Sequence, residues 1–306
     1  MTPTSKTTTL SGKTSLPIIF FGSEAFSLYS LRALVEAGFD IVAVVTKPDT
    51  QRGRGHMLTE PAVKQYAKQR GLTVWQPTSL HELLPLIEPL KPIAGVLVSY
   101  GRIIPESLLD ACSPGIINLH PSLLPKYRGP SPIESAIANR DNKTGVTLMK
   151  LVKAMDAGPI YAQFPYALDG TETRPELYKT LGTLGAHVLV TTLPDILSGN
   201  LTSTDQKSDD VSYCSLLTRK DTYLDFSQLT PGEAEARIRA HLEFPRTRVK
   251  VGSHDLIILK AHGVMSKKTP LDIKCSNGAF LSLDLLIAPS GHTMTADEFL
   301  RGYRVE

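Results

Sequence analysis

Residues 17–45, with the sequence PIIFFGSEAFSLYSLRALVEAGFDIVAVV, indicate the fold class of this chain. Two apolar runs, 17–21 and 41–45, have the length and the β-branched content of buried strands. Between them leucine recurs at helical spacing, and Gly38 can end such a helix. Buried strands joined by a helix are typical of a parallel sheet that is covered on both faces.

The same alternation continues toward the middle of the chain. Apolar runs at 93–98 and 115–119 predict two further strands, and Pro105 can open a short helix between them. We therefore predict an α/β fold with a Rossmann-like, mostly parallel sheet, whose ligands bind at the carboxyl ends of the strands. The first turn, after Gly22, lacks the further glycines of a dinucleotide fingerprint, and the chain has no P-loop motif. The sequence thus supports neither NAD nor a nucleoside triphosphate as ligand.

The last third of the chain has a different pattern. Residues 198–210 contain a single hydrophobic residue, which predicts a linker between domains, and we place this linker at 199–211. Beyond it, short apolar runs such as 256–259 and 279–287 alternate with Gly and Pro. These runs predict a second, smaller, β-rich and barrel-like domain at 212–306.

Composition and cysteine usage limit the class of protein. The chain has 306 residues, a formal net charge of +3 and three widely spaced cysteines. An odd number of cysteines argues against a disulfide framework and for a reducing compartment, so we expect a cytoplasmic protein. No His or Cys pair has the spacing of zinc ligands, and no run approaches the roughly 18 apolar residues of a membrane span. We expect residues 1–15 to form a disordered tail and the protein to be a monomer.

The stretch 118–129, NLHPSLLPKYRG, carries chemistry. Asn118 and His120 are two residues apart, so in a strand their side chains project from the same face. Pro121 lacks a backbone donor, so a central strand must end here. An amide and an imidazole held together can bind a carbonyl oxygen and transfer a proton. Asp156, in a later Gly/Pro turn, could orient the imidazole.

Each of these residues also has an ordinary structural explanation. A single histidine at a strand end is more often structural than catalytic, and an Asp before Ala-Gly-Pro is normally a turn former. The combination changes this balance. Asn-Leu-His-Pro-Ser-Leu-Leu-Pro at 118–125, Thr-Gly-Val-Thr at 144–147 and Asp-Ala-Gly-Pro at 156–159 together resemble the catalytic core of the 10-formyltetrahydrofolate-dependent N-formyltransferases.

This resemblance implies direct transfer of a formyl group from folate to an amine, without a metal. It implies that Asn118 hydrogen-bonds the formyl oxygen and that His120 stabilises the oxyanion and handles the proton. Asp156 would set the position and ionisation of His120, and Leu124–Pro125 would be a cis peptide. The folate contacts that the resemblance implies are Ser99, Tyr100, Gly101, Ser122, Leu123, Leu124 and Pro125.

A basic segment after the second strand bears on the identity of the acceptor. Residues 47–70 hold six Lys/Arg against two acids, and 52–55 read Arg-Gly-Arg-Gly. A mobile loop of this kind can offer guanidinium groups to phosphates, although a solvated basic loop is the simpler interpretation. The segment resembles the acceptor-stem loop of the tRNA-acting members of the family. This resemblance implies tRNA contacts by Arg52, Arg54 and Lys64.

The C-terminal part of the chain is also basic. Residues 237–274 hold nine Lys/Arg against three acids, which suits a phosphate backbone but is also compatible with an ordinary soluble surface. Ala-Arg-Ile-Arg-Ala at 236–240 and Phe-Pro at 244–245 resemble the start of the C-terminal domain of the tRNA-acting members. Arg246 and Arg248 are therefore further expected tRNA contacts.

Taken together, the resemblance implies formylation of the α-amino group of initiator methionyl-tRNA by 10-formyltetrahydrofolate, in translation initiation. Residues 16–198 would form the catalytic domain, and 212–306 would bind tRNA. Pro121 and Gly158-Pro159 lean instead toward the glycinamide formyltransferases of the purine pathway. A sugar-amine or glycinamide-type enzyme, a folate hydrolase and a catalytically silent RNA- or folate-binding relative stay open as alternatives.

Overall fold

The structure, a computed structural model, describes residues 16–52, 57–207 and 209–305. Its backbone contacts divide the chain into two units. Of the described residues, unit 1 contains those up to Leu119 together with Gly185–Ser203, and unit 2 contains His120–Leu184 and those from Thr204 onward. The expected tail at 1–15, Arg54 and the other residues of 53–56 lie outside the described part of the chain.

The described strands are β1 Ile18–Gly22, β2 Ile41–Val45, β3 Thr50–Arg52, β4 Met57–Thr59, β5 Val74–Trp75, β6 Ala94–Val98, β7 Ile116–His120, β8 Lys143–Lys150, β9 Ile160–Ala167, β10 Arg248–Val251, β11 His254–Val264, β12 Ile273–Lys274, β13 Phe280–Ile287 and β14 Thr293–Thr295. The described helices are α1 Ala25–Glu36, α2 Ala62–Gln69, α3 Leu84–Ile87, α4 Glu106–Ala111, α5 Pro132–Ala138, α6 Arg174–Leu197, α7 Pro231–Ala240 and α8 Ala296–Gly302. Short turns of 3-10 helix lie at Leu80–Leu83, Glu88–Leu90, Arg219–Thr222 and Phe226–Gln228.

The larger sheet has seven strands in the order β5-β2-β1-β6-β7-β8-β9. The pairs from β5 to β7 are parallel, whereas β8 and β9 are antiparallel. Every residue of β1, β6 and β7 is buried, as expected for strands that are covered on both faces. The predicted Rossmann-like, mostly parallel sheet is confirmed.

The smaller sheet belongs to unit 2. Its strands run antiparallel in the order β10-β11-β13-β12, and β14 pairs with β13. Leu256, Leu281 and Phe299 are fully buried in its core. Helix α7 is fixed at its start by Thr230 and Glu233, whose side chains each bond the other's backbone amide. The predicted β-rich second part of the chain is confirmed as a curled antiparallel sheet.

Helix α6 differs from the sequence expectation that no segment is apolar enough for a membrane span. By length and composition alone this helix could cross a membrane, and it is the one such helix among the described residues. Of its most apolar stretch of 18 residues, 44% is buried. Leu177, Leu181 and Leu189 on this helix are at most 1% exposed. A core helix of a folded protein has the same properties, so this feature is weak evidence for a membrane.

Candidate active site

Strand β7 places Asn118 and His120 at its carboxyl end. Both side chains are buried, each 5% exposed. The His120 Nε2 lies 2.9 Å from the carbonyl oxygen of Tyr127. Because a carbonyl can only accept a hydrogen bond, Nε2 carries a proton in this arrangement. The loop that follows β7 therefore fixes the ring, and Nδ1 is the nitrogen left to exchange a proton.

Asp156 lies beside that second nitrogen. Its Oδ2 is 3.8 Å from the His120 Nδ1, which is beyond hydrogen-bond distance but close enough for electrostatic stabilisation. The same oxygen accepts a 2.8 Å hydrogen bond from the backbone N–H of Gly129. The structure thus brings His120 and Asp156 together, as the sequence predicts.

The turn that carries Asp156 is tightly constrained. Asp156 has a φ of 46°, in the left-handed region that Asp tolerates better than most residues. At Gly158 a Cβ would collide with the carbonyl oxygen of Lys150, so only glycine fits there. The backbone of this turn is therefore determined by contacts on several sides.

Two further residues complete this region, and sequence reasoning missed both. Gln206 donates from Nε2 to the carbonyl oxygens of Asp156 and Gly158, at 2.7 and 2.8 Å. Its Oε1 accepts from Arg128 Nε at 3.0 Å and from Arg128 Nη2 at 2.7 Å. Arg128 stands in the stretch 118–129 but was assigned no role there, and a single Gln in a polar segment gives no sequence signal.

The first predicted folate loop, Ser122–Pro125, is held by internal hydrogen bonds. Ser122 Oγ donates to the Lys126 carbonyl at 2.6 Å, and Thr147 Oγ1 donates to the Ser122 carbonyl at 2.6 Å. Leu124 is 3% exposed, whereas Leu123 is partly exposed. The Leu124–Pro125 bond is cis, as the resemblance implied. Folate binding by this loop stays a prediction.

The second predicted folate loop, Ser99–Gly101, belongs to unit 1 and follows β6, the neighbour of β7. Ser99 and Gly101 have φ angles of 45° and 69°, and the Ser99 carbonyl accepts from the N–H groups of Ser23 and Glu24 at 3.3 Å each. Tyr100 is fully buried with its ring edge-on to Phe21, and burial raises the pKa of its hydroxyl. The loop is thus a hydrogen-bonded turn at the carboxyl edge of the parallel strands, where ligands of such sheets bind.

The basic segment forms a hairpin rather than a simple loop. Strands β3 and β4 pair, with Arg52 opposite Met57, and Arg54 lies outside the described residues. Lys64 Nζ bonds Asp49 at 2.7 Å and Glu60 at 3.0 Å, and its side chain is 11% exposed. The hydrogen bond between Lys64 and Asp49 raises the pKa of Lys64 and lowers the pKa of Asp49. The charge of Lys64 is therefore balanced at the base of the hairpin.

Arg246 and Arg248, the two arginines of the C-terminal part that we expect to contact tRNA, lie together. Arg246 and Arg248 line a cavity of about 490 Å³, which Arg219 also lines. Arg246 is exposed, whereas Arg248 Nη1 bonds Asp255 Oδ2 at 2.6 Å. Phe244, 45% exposed, adds an aromatic ring to the same wall. This arginine-lined cavity has the chemistry to hold a phosphate beside an aromatic surface.

Within the described residues, no group of three or more His, Cys, Asp or Glu side chains could hold a metal.

Comparison with known proteins gives a consistent result. Residues 17–193 match the Formyl transferase family. The methionyl-tRNA formyltransferase of Myxococcus xanthus is 37% identical over 302 residues, covering 94% of this chain and 95% of that protein. The methionyl-tRNA formyltransferase of Halorhodospira halophila is 36% identical and covers 94% of this chain and 96% of its own length.

A solved structure shows the same fold. The N-formyltransferase from Helicobacter canadensis, in complex with folinic acid and dTDP-3-aminofucose, has a TM-score of 0.67 at 20% identity. The match covers 88% of this chain and 98% of that one. At this identity the likeness concerns the fold alone, whereas the sequence matches extend over nearly the whole chain. The chain therefore belongs to the formyl transferase family, as a relative of its methionyl-tRNA formyltransferases.

Proposed function

We propose that this protein transfers the formyl group of 10-formyltetrahydrofolate to the α-amino group of initiator methionyl-tRNA. The observation that carries the proposal is the buried Asn118 and His120 on one strand, with Asp156 Oδ2 3.8 Å from His120 Nδ1. The named relatives, which match over 94% of the chain, support the tRNA acceptor. Ser99–Gly101 and Ser122–Pro125 are the proposed folate contacts.

The chemistry of the three side chains suits this transfer. Attack of an amine on the formyl carbon gives a tetrahedral intermediate whose oxygen gains negative charge. The Asn118 amide donates to that oxygen, and a single donor of this kind is worth about 3 kcal/mol. His120, with Nε2–H held by the Tyr127 carbonyl, takes the proton of the attacking amine at Nδ1, and Asp156 stabilises the imidazolium that results.

The acceptor needs no strong base. An α-amino group titrates at about 7.7–8.0, so a substantial fraction is neutral near pH 7.5. The His120–Asp156 pair has only to remove a proton after the attack, when the amine has become acidic. No covalent intermediate with the protein is required. His120 then returns this proton to the folate nitrogen as the C–N bond to the folate breaks, the formyl carbonyl re-forms, and tetrahydrofolate and the formylated amine leave.

Basic surfaces give the proposal its tRNA-binding part. Arg52, Arg54 and Lys64 contact the acceptor stem, and Lys64 also bonds Asp49 and Glu60. The cavity lined by Arg246 and Arg248 holds a tRNA phosphate. In this proposal residues 16–198 are the catalytic domain, 199–211 the linker and 212–306 the tRNA-binding domain. The protein acts as a monomer in the cytoplasm, where charged initiator tRNA is found.

A formyl-transfer assay with radiolabelled donor tests the proposal. Initiator methionyl-tRNA, elongator methionyl-tRNA, glycinamide ribonucleotide and a nucleotide-linked amino sugar serve as competing acceptors. We expect label on initiator methionyl-tRNA at a kcat/KM far above that of any other acceptor. Label on the amino sugar or the glycinamide instead would assign the protein to a small-molecule formyltransferase. Formate released without an acceptor would indicate a hydrolase.

A further inference from the structure

Gln206 connects the two chain segments that hold the His120–Asp156 pair. We propose that Gln206 is a positioning residue, which sets the distance of the Asp156 carboxylate from His120. The inference rests on the proposed function, because it gives Gln206 a role only through Asp156. Gln206 comes from a polar segment of unit 2 that the sequence describes only as a linker.

All hydrogen-bonding capacity of the Gln206 amide is used. Two N–H donors meet two carbonyl oxygens, of Asp156 and Gly158, and one oxygen accepts twice from the Arg128 guanidinium. A carbonyl can only accept and a guanidinium can only donate, so the amide has a single favourable orientation. Neither Glu, which has no donor, nor Met, which has no polar amide, can reproduce this pattern.

The Arg128 side of this link leads to both members of the pair. The neighbour of Arg128 on one side, Tyr127, offers its carbonyl to His120 Nε2. The neighbour on the other side, Gly129, donates its N–H to Asp156 Oδ2. Arg128 itself is only 9% exposed, and its backbone N–H donates to Ser212 at 2.9 Å. Gln206 thus binds the middle residue of the segment that holds the imidazole and the carboxylate.

The other side of the link leads to the Asp156 backbone. Residues 151–159, between β8 and β9, belong to no strand or helix, and Asp156 has a positive φ within this turn. Gln206 donates hydrogen bonds to the carbonyl groups on both sides of Ala157, and so fixes the peptide planes that orient the Asp156 side chain. Displacement of a catalytic group by about 1 Å can lower a rate about 100-fold. The 3.8 Å separation of His120 and Asp156 is sensitive to such a shift.

The test compares Gln206→Glu and Gln206→Met with the wild-type protein in the formyl-transfer assay. Gln206→Glu keeps an acceptor for Arg128 but loses both donors, whereas Gln206→Met loses every polar contact. We expect kcat to fall about tenfold or more in both variants. The KM values for methionyl-tRNA and for the folate donor should stay within about twofold of wild type, since Gln206 touches neither in the proposed function. Gln228→Glu, at an exposed position, is the matched control and should keep the wild-type kcat.

A double-mutant cycle separates positioning from general support of the fold. In the Asp156→Asn background, Gln206→Glu should lower kcat by less than twofold, because the group that it positions is already gone. Unchanged kcat in Gln206→Glu, a proportionate rise of KM, or an equal loss in both backgrounds would overturn the inference. If Gln206→Met lowers the melting temperature strongly, Gln206→Glu decides alone. A normal kcat for Asp156→Asn itself would instead overturn the proposed role of Asp156, and the role of Gln206 with it.

Discussion

His120 and Asp156 come from different elements, a buried strand and an irregular turn, yet His120 Nδ1 lies 3.8 Å from Asp156 Oδ2. Each group also has a hydrogen-bond partner of its own. The Tyr127 carbonyl holds the ring at Nε2, and the Gly129 N–H holds the carboxylate. The pair is therefore organised before a substrate arrives, which favours electrostatic stabilisation without reorganisation during the reaction.

Asp156→Asn tests the charge of this pair. Asn also tolerates a left-handed backbone and can still accept from Gly129, so the turn should survive. We expect kcat for formyl transfer to fall about 100-fold, since the amide cannot stabilise the imidazolium. The KM for methionyl-tRNA should hardly change. Asp110→Asn, at an exposed helix position, is the control, and equal activity of the two variants would remove Asp156 from the mechanism.

The sheet was predictable because its strands are buried on both faces. Such strands read as uninterrupted apolar runs, and the predicted runs 17–21 and 41–45 differ from β1 and β2 by at most one residue. Strand β9, Ile160–Ala167, was not predicted. From Gln163 to Ala167 its residues alternate between exposed and half-buried, and the polar Gln163 interrupts its apolar residues.

The site residues were predictable only where polar side chains stand in a recognisable sequence motif. Asn118, His120 and Asp156 stand in motifs whose order carries information, whereas Gln206 acts through contacts formed only in the fold. Lys64 illustrates a second limit. A count of charges in a segment cannot tell which of them pair, and the structure gives Lys64 two acidic partners within the same segment.

Gly158→Ala tests the packing of the catalytic turn. The added methyl group would collide with the Lys150 carbonyl, so the turn must move. Overpacking of this kind costs about 1–3 kcal/mol. We expect a lower melting temperature by thermal denaturation, together with a loss of kcat because Asp156 moves with the turn. Gly302→Ala, where a Cβ would meet open space, should change neither quantity.

The buried Cys112 thiol should make the free energy of unfolding decrease at alkaline pH. Burial raises the pKa of its thiol to about 11, from 9.0. A folded-state pKa above the unfolded value means that the folded state retains the proton longer. The resulting stabilisation is complete below pH 9 and is lost as the pH rises from about 9 to about 11. Urea unfolding across this range should show a steeper decline for wild type than for Cys112→Ala. Equal slopes would contradict the prediction.

Arg246→Ala and Arg248→Ala test the arginine-lined cavity. If a tRNA phosphate binds there, the KM for methionyl-tRNA should rise in each variant while kcat stays near wild type. Each lost phosphate contact should also reduce the slope of log KM against log salt concentration by about one. Arg246→Ala should have the larger effect, because Arg248 shares its charge with Asp255. Lys250→Ala, at an exposed position on the strand that contains Arg248, is the control. If all three variants have the wild-type KM and salt slope, the phosphate does not bind in this cavity.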